Sequence, residues 1–242
     1  MFLSITGLFL VLSILWGYQY LPKENWQILA VLPRKKTAQG KWTGLNLTYY
    51  GLLCATANAF AVVMFLILGS AAEIPLSGAC LLIVSLLLIC LPAAKLIARL
   101  VEKKSSTLTV GGAVFAGTLA SPLLVYCVNH TLGKAQGFSI SVSTFLAAAS
   151  IAYAYGEGLG RLACISFGCC YGKPVASLPL FVQKLFARFY LQFSGATKKI
   201  TYASGLDNTK VVPVQIITAI ISCGAALAGT GMYLAGEFRL AV

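Results

Sequence analysis

The chain has 242 residues, of which 59% are hydrophobic and only 10% charged, and its mean hydropathy is +0.86. A soluble domain of this size carries about 25% charged residues, so the composition excludes secreted scaffolds, nucleic-acid readers and cytosolic enzymes. It predicts an all-α polytopic membrane protein. The net charge of +12 would suggest nucleic acid in a polar chain, but here the cations lie between apolar runs. Anionic phospholipid headgroups are the expected partner, with no nucleic acid.

Residues 2–20 carry no charge and suffice for one crossing. A signal peptide is the competing reading, disfavoured because no basic residue precedes the run and no small-residue cleavage site follows it. A polar stretch, 21–44, holds Lys23, Arg34, Lys35, Lys36 and Lys41. Further apolar runs at 45–70, 74–98, 110–131, 138–160 and 212–235 bring the expected crossings to about six. Residues 1–44 read as an N-terminal helix with its basic loop, and 45–242 as the membrane domain proper. Within 161–211, the stretch LPLFVQKLFARFYLQF sets Leu185, Phe186, Phe189, Tyr190 and Phe193 against Lys184, Arg188 and Gln192. That pattern predicts an amphipathic arm lying in the membrane interface.

If all six runs cross, segments 21–44, 95–109 and 161–211 share one side and hold 16 of the 18 Lys and Arg. Lys134 and Arg239 remain for the other. The positive-inside bias then places the basic loops in the cytoplasm. Of eight cysteines, Cys54, Cys80, Cys90, Cys127 and Cys223 fall within apolar runs, where cysteine packs as a small hydrophobe. Cys164, Cys169 and Cys170 lie just past a predicted helix end beside Arg161 and need another account.

In AAASIAYAYGEGLGR, Ala148, Ala152, Gly156 and Gly160 recur every fourth residue, leaving a face that another helix or a lipid chain can approach closely. An adjacent stripe carries Tyr153, Glu157 and Arg161, with the acid N-terminal to the base, the better orientation for pairing. The pair can be simple neutralisation of charge in a bilayer. It can equally hold the guanidinium fork for a phosphate, with Glu157 orienting it.

The segment GRLACISFGCCYGKP resembles the signature of the prolipoprotein diacylglyceryl transferase family, with Arg161, Gly168 and Gly172 at that signature's spacing and Tyr171 between the glycines. Tyr49, Tyr50 and Gly51 resemble the family's aromatic-Tyr-Gly. Gly111, Gly112, Phe115 and Gly117 resemble its Gly-Gly segment, and Pro213 and Gln215 its Pro-x-Gln. The likeness spans about residues 45–220. Cys164 stands where the family has asparagine, Cys169 where it has glutamate, and Ala116 where it has its catalytic histidine. His130, the chain's one histidine, lies fourteen residues further along the predicted helix, roughly 21 Å away. Val212, Ile217 and Thr218 replace the His, Tyr and acid that flank the family's Pro-x-Gln. The chain beyond residue 235 is too short for the family's final helices. The pattern reads as a divergent paralogue that keeps the phosphate grip and replaces the acid-base set.

The family moves a diacylglyceryl group from phosphatidylglycerol to the thiol of a lipoprotein precursor. The resemblance implies a multi-pass enzyme of the bacterial plasma membrane using a phosphatidylglycerol-like lipid and a thiol acceptor. Arg161 with Gly168, Tyr171, Gly172, Pro213 and Gln215 would bind substrate. Cys164, Cys169, Cys170, Glu157 and Tyr50 would do the chemistry, since a guanidinium one turn from Cys164 favours a thiolate. Three other readings of the cysteines stay open: a metal site, a redox pair at Cys169 and Cys170, and lipid-facing packing. Cys-x4-Cys-Cys lacks the paired spacing usual in metal sites, so the sequence implies no cofactor. A non-catalytic protein that binds anionic lipid, or passes it between leaflets, is the alternative function. The resemblance would put the site on the outer face, and the charge count puts it on the cytoplasmic face.

Overall fold

A computed structural model describes residues 1–36, 40–101, 103 and 109–236, with the Trp42 side chain also left aside. Lys104, Arg239 and the chain end after 236, which enter the charge count and the family comparison, lie outside the described residues. The protein is an all-α multi-pass membrane protein. Its long helices are α1 (Phe2–Tyr20), α2 (Tyr49–Ala71), α3 (Leu76–Leu100), α4 (Val110–Val128), α6 (Val142–Phe167) and α9 (Val214–Leu234). A π-helical turn, Asn129–Gly133, and the short α5 (Lys134–Gln136) prolong α4. Among the described residues five helices are long and apolar enough to cross a membrane: α1, α2, α3, α4 with its extension, and α9. The sixth expected run, α6, has the length but also carries Glu157 and Arg161.

The chain divides into two compact units, Met1–Ala61 with Tyr153–Leu227, and Val62–Ala152 with Ala228–Val242. The boundary drawn at residue 44 in the sequence falls inside the first. There α6 is the axis, and small residues set how close its neighbours come. A Cβ on Gly17 of α1 would lie 2.5 Å from Leu162 Cδ2, one on Gly156 would lie 3.2 Å from Ala61 Cβ of α2, and one on Gly158 2.5 Å from Cys223 Sγ of α9. With little hydrophobic drive between helices in lipid, such close packing is what holds them. Among the glycines of α6 the tightest approach is at Gly158, off the expected stripe, and a Cβ on Gly160 would meet nothing within 4 Å.

The 21–48 segment is not a plain loop. Strands β1 (Ile28–Lys36) and β2 (Trp42–Thr48) pair antiparallel, with Leu32 opposite Leu45 and Val31 opposite Asn46. The second apolar run therefore begins as strand. Its helix starts only at Tyr49, where Thr48 Oγ1 accepts from the Gly51 amide at 3.2 Å as an N-cap.

Residues 168–213 form a small cap on α6. It contains α7 (Leu180–Leu185), β3 (Leu191–Gln192), α8 (Lys199–Ser204) and β4 (Lys210–Val211), with Leu191 opposite Val211. The amphipathic arm is present but is helical only over α7. Leu191 and Phe193 are buried with Ile200 and Val211, so strand pairing and burial outweigh the helical period beyond Leu185. Phe189 instead packs on Tyr18 of α1 at 5.8 Å between ring centroids. The cap is tied to the chain after α1 by Ser194 N donating to Pro22 O at 3.2 Å, by Gln27 Nε2 donating to the Thr197 backbone carbonyl and by Thr197 Oγ1 donating to Gln27 Oε1. Hairpin and cap thus share one end of this unit.

In the second unit, α3 and α4 pack through glycine. A Cβ on Gly112 would lie 2.9 Å from Ile97 Cβ, and one on Gly117 would lie 3.0 Å from Cys90 Sγ. Asn129 closes the turn after α4 by bonding both backbone groups of Ile140. His130 is spent on Tyr126, its ring 4.0 Å from the tyrosine ring and Nδ1 3.0 Å from the Tyr126 carbonyl.

Candidate functional site at the end of helix α6

Helix α6 runs seven residues past the apolar run that predicts it, because Arg161 donates through Nη2 to Glu157 one turn back and the two charges cancel locally. Cys164 therefore lies on the helix, not beyond it. The helix ends in a Schellman motif. Gly168 has φ +71°, its amide donates to Ile165 O at 3.1 Å, and the Cys169 amide donates to Cys164 O at 3.0 Å. This motif brings the side chains of its C3 and C″ residues together, and these are Cys164 and Cys169. Cys170, itself at φ +56°, turns the chain again. The Sγ atoms of all three lie within 4.8 Å of one another. A spacing that reads as wrong for a metal site in sequence is right for a cluster once the helix end is in place.

Three contacts fix that turn. Gln215, 1% exposed, donates Nε2 to Cys169 O at 2.8 Å. Ile200 N donates to Gly168 O at 3.0 Å. Lys198, fully buried, donates Nζ to Ser166 O at 2.6 Å and to Leu21 O at 2.9 Å, joining the ends of α6 and α1. A cation over the last carbonyls of a helix also offsets its dipole. Burial pushes the Lys198 ammonium down to about 8, against an opposing pull from Glu24. Nothing in the sequence marks this lysine: beside Lys199 it reads as surface charge.

The residues expected from sequence to bind substrate lie apart from one another in role. Gly172 is a forced glycine, since a Cβ there would lie 2.7 Å from Val212 O and 2.8 Å from Val214 Cγ2. This seats the chain against the start of α9, where Pro213 and Gln215 are both buried. Tyr171 gives its hydroxyl to a hydrogen bond with Ser204 of α8. Tyr50, on the first turn of α2, has its ring 5.5 Å from the Phe167 ring between centroids and its hydroxyl bonds the Cys54 thiol, placing a phenol and a fourth thiol near the cluster. Gly111, Gly112, Phe115 and Gly117 belong to the other unit, where Gly112 and Gly117 serve helix packing.

Nothing among protein families, curated proteins or solved structures matches the chain. The chemistry must therefore be read from the site. The Cys169 thiol is held well above the ordinary thiol range, first by its hydrogen bond to Cys164 and then by burial. Burial also raises Cys170, followed by the charge of Cys164. Cys164 is thus the acceptor of the cluster, one turn from the guanidinium. Buried and without a hydrogen-bond partner are Arg161 Nε and Gln215 Oε1, a donor and an acceptor left for something else to satisfy.

Proposed function

We propose that this protein is a membrane transferase that moves a lipid-derived group, diacylglyceryl or acyl, from an anionic phospholipid to a thiol. The observation that carries it is Arg161, with an unused Nε, one turn from three sulfurs that lie within 4.8 Å of one another. Such a transfer needs a cation on the leaving phosphate and a sulfur nucleophile, and both are here. Open space at Gly160, the residue before Arg161, gives a phospholipid a route to the guanidinium.

In the diacylglyceryl case a thiolate attacks the glyceryl carbon. The C–S bond forms, the C–O bond to phosphate breaks, and the electron pair leaves on the phosphate oxygen that Arg161 holds. Glu157 orients the fork. Cys164, bonded by the Cys169 thiol, is the sulfur placed to take the group or to activate an acceptor's thiol, and Tyr50 lines the same side. The resemblance of GRLACISFGCCYGKP to the diacylglyceryl transferase signature supports a phosphatidylglycerol-like donor, a thiol or lipoprotein precursor as acceptor, and a bacterial plasma membrane setting.

Turnover of labelled phosphatidylglycerol by the purified protein, with and without a thiol acceptor, is the test. Release of glycerol phosphate that depends on Arg161 supports transfer. Saturable lipid binding with no turnover in either arm replaces it with the non-catalytic lipid-binding reading.

A further inference from the structure

The cluster poses a problem that the transfer reading leaves open. Sulfur chemistry needs thiolates, yet the position of the resembled family's histidine holds Ala116 and His130 is spent on Tyr126, so neither supplies the cluster with an imidazole base.

We propose that Cys164, Cys169 and Cys170 bind one thiophilic d10 metal ion, Zn2+ or its chemical equivalent Cd2+, as three thiolates with a fourth coordination position open. Zn–S bonds are about 2.3 Å, which puts the sulfurs of a tetrahedral site about 3.8 Å apart. The three Sγ atoms already lie within 4.8 Å, so closing round an ion asks for less than about 1 Å of movement from the most separated pair. Two of the ligands come from the two ends of one Schellman motif and the third from the next residue. The backbone of the site is therefore set by the helix end, and Gln215 and Ile200 pin it from outside. Three protein ligands and an open position are the pattern of sites that act on a substrate, as opposed to closed structural ones.

On binding, each S–H bond is exchanged for an S–metal bond and its proton goes to water, up to three per ion. The Arg161 guanidinium, one turn away, offsets part of the negative charge that three thiolates bring. The site stands on the cluster's own geometry. Where the transfer reading also holds, the ion would keep all three sulfurs deprotonated without a general base, and the open position would take an acceptor thiol, which a coordinating metal deprotonates.

Cd2+ titrated into the purified full-length protein tests this through its sulfur-to-metal charge-transfer absorption. We expect saturation at one ion per chain. Cys164→Ser, Cys169→Ser and Cys170→Ser should each weaken binding at least about tenfold, the scale on which even outer partners of a metal act. Cys80→Ser and Cys127→Ser should leave it unchanged. A second readout needs no variant: on the wild-type protein, Cd2+ should protect Cys169 and Cys170 from maleimide. Absence of a saturating band in the wild type, its persistence in the triple serine variant, or equal alkylation with and without Cd2+ would overturn the site. None of these readouts involves lipid, so a protein that binds the ion and turns over no phospholipid overturns only the transfer reading.

Discussion

Gln215 holds Cys169 by its backbone and not by its thiol: the amide Nε2 donates to the Cys169 carbonyl at 2.8 Å from within α9. A glutamine that sequence likeness assigns to substrate thus has half of its amide committed to positioning the cysteine turn. Its other half, Oε1, is buried with no hydrogen-bond partner. Gln215→Leu keeps the volume and removes the donor, leaving the Cys169 carbonyl in need of another. The expected cost is about 1–3 kcal/mol, read as a lower midpoint in thermal unfolding, together with faster maleimide labelling of Cys169. A leucine variant with unchanged stability and labelling would show that the turn is held by Ile200 and Lys198 alone.

Under the proposed transfer, Arg161→Lys should lose most activity although the charge is retained, because an ammonium cannot reproduce a planar fork that bonds Glu157 with one arm and would leave another for phosphate. The double change Glu157→Gln with Arg161→Gln separates function from neutralisation. It removes both charges of the pair at once, so the helix should fold. It should not turn over lipid. Activity in either variant contradicts the phosphate grip.

How far the site was legible in the sequence is clearest at α6. The six apolar runs locate the six long helices, since a crossing needs about 20 apolar residues and little else. The sequence does not mark the end of α6, because Glu157 and Arg161 interrupt the apolar run and their pairing lets the helix continue to Phe167. The Cys164–Cys169 contact was in principle readable, because a glycine at a helix end licenses a Schellman motif and fixes which residues meet. The hairpin is hidden for a different reason: β1 itself ends in Pro33, Arg34, Lys35 and Lys36 and so reads as part of a polar loop, while β2 runs straight into the apolar run of α2. For buried Lys198 there was no signal at all, since its partners are backbone carbonyls.

Two glycines of one segment should respond to alanine with opposite signs. Gly160 is inside α6 with nothing within 4 Å of a Cβ, so Gly160→Ala should stabilise the helix by about 0.5–1 kcal/mol. Gly172→Ala drives a methyl against the Val212 carbonyl and should cost about 1–3 kcal/mol, since backbone on both sides must shift. Denaturation of both variants in one detergent checks the pair. If Gly160→Ala is stable yet inactive, the open space there is the route by which lipid reaches Arg161.

Lys198 makes stability depend on pH in the alkaline range. Its pKa is about 8 in the folded protein and about 10.4 in an unfolded chain. Between those values the unfolded state binds more protons, so unfolding free energy rises with pH across this window. Other groups titrate there as well, so the quantity to measure is the difference from Lys198→Met, which has no proton to lose. The wild type should gain stability relative to the variant from about pH 8 to about pH 10. Parallel pH profiles would mean that the ammonium is not destabilised by its burial.

Which side of the membrane the site faces is decided by Cys170, the exposed member of the cluster. The Pro22, Gln27 and Trp26 contacts with Ser194, Thr197 and Ser166 place the hairpin and the cap at one end of their unit. Their basic residues therefore count together, and the positive-inside bias assigns that end to the cytoplasm. A cytoplasmic site also keeps its thiols reduced without protection. Against this, the diacylglyceryl transferase likeness calls for the outer face, and cations around a lipid site can be there to gather anionic lipid rather than to set topology. We expect a membrane-impermeant thiol reagent to leave Cys170 unmodified on intact cells and to modify it after permeabilisation. The acceptor would then be a cytosolic thiol or an inner-leaflet lipid. Modification without permeabilisation would place the cluster outside and make a secreted lipoprotein precursor the acceptor to test first.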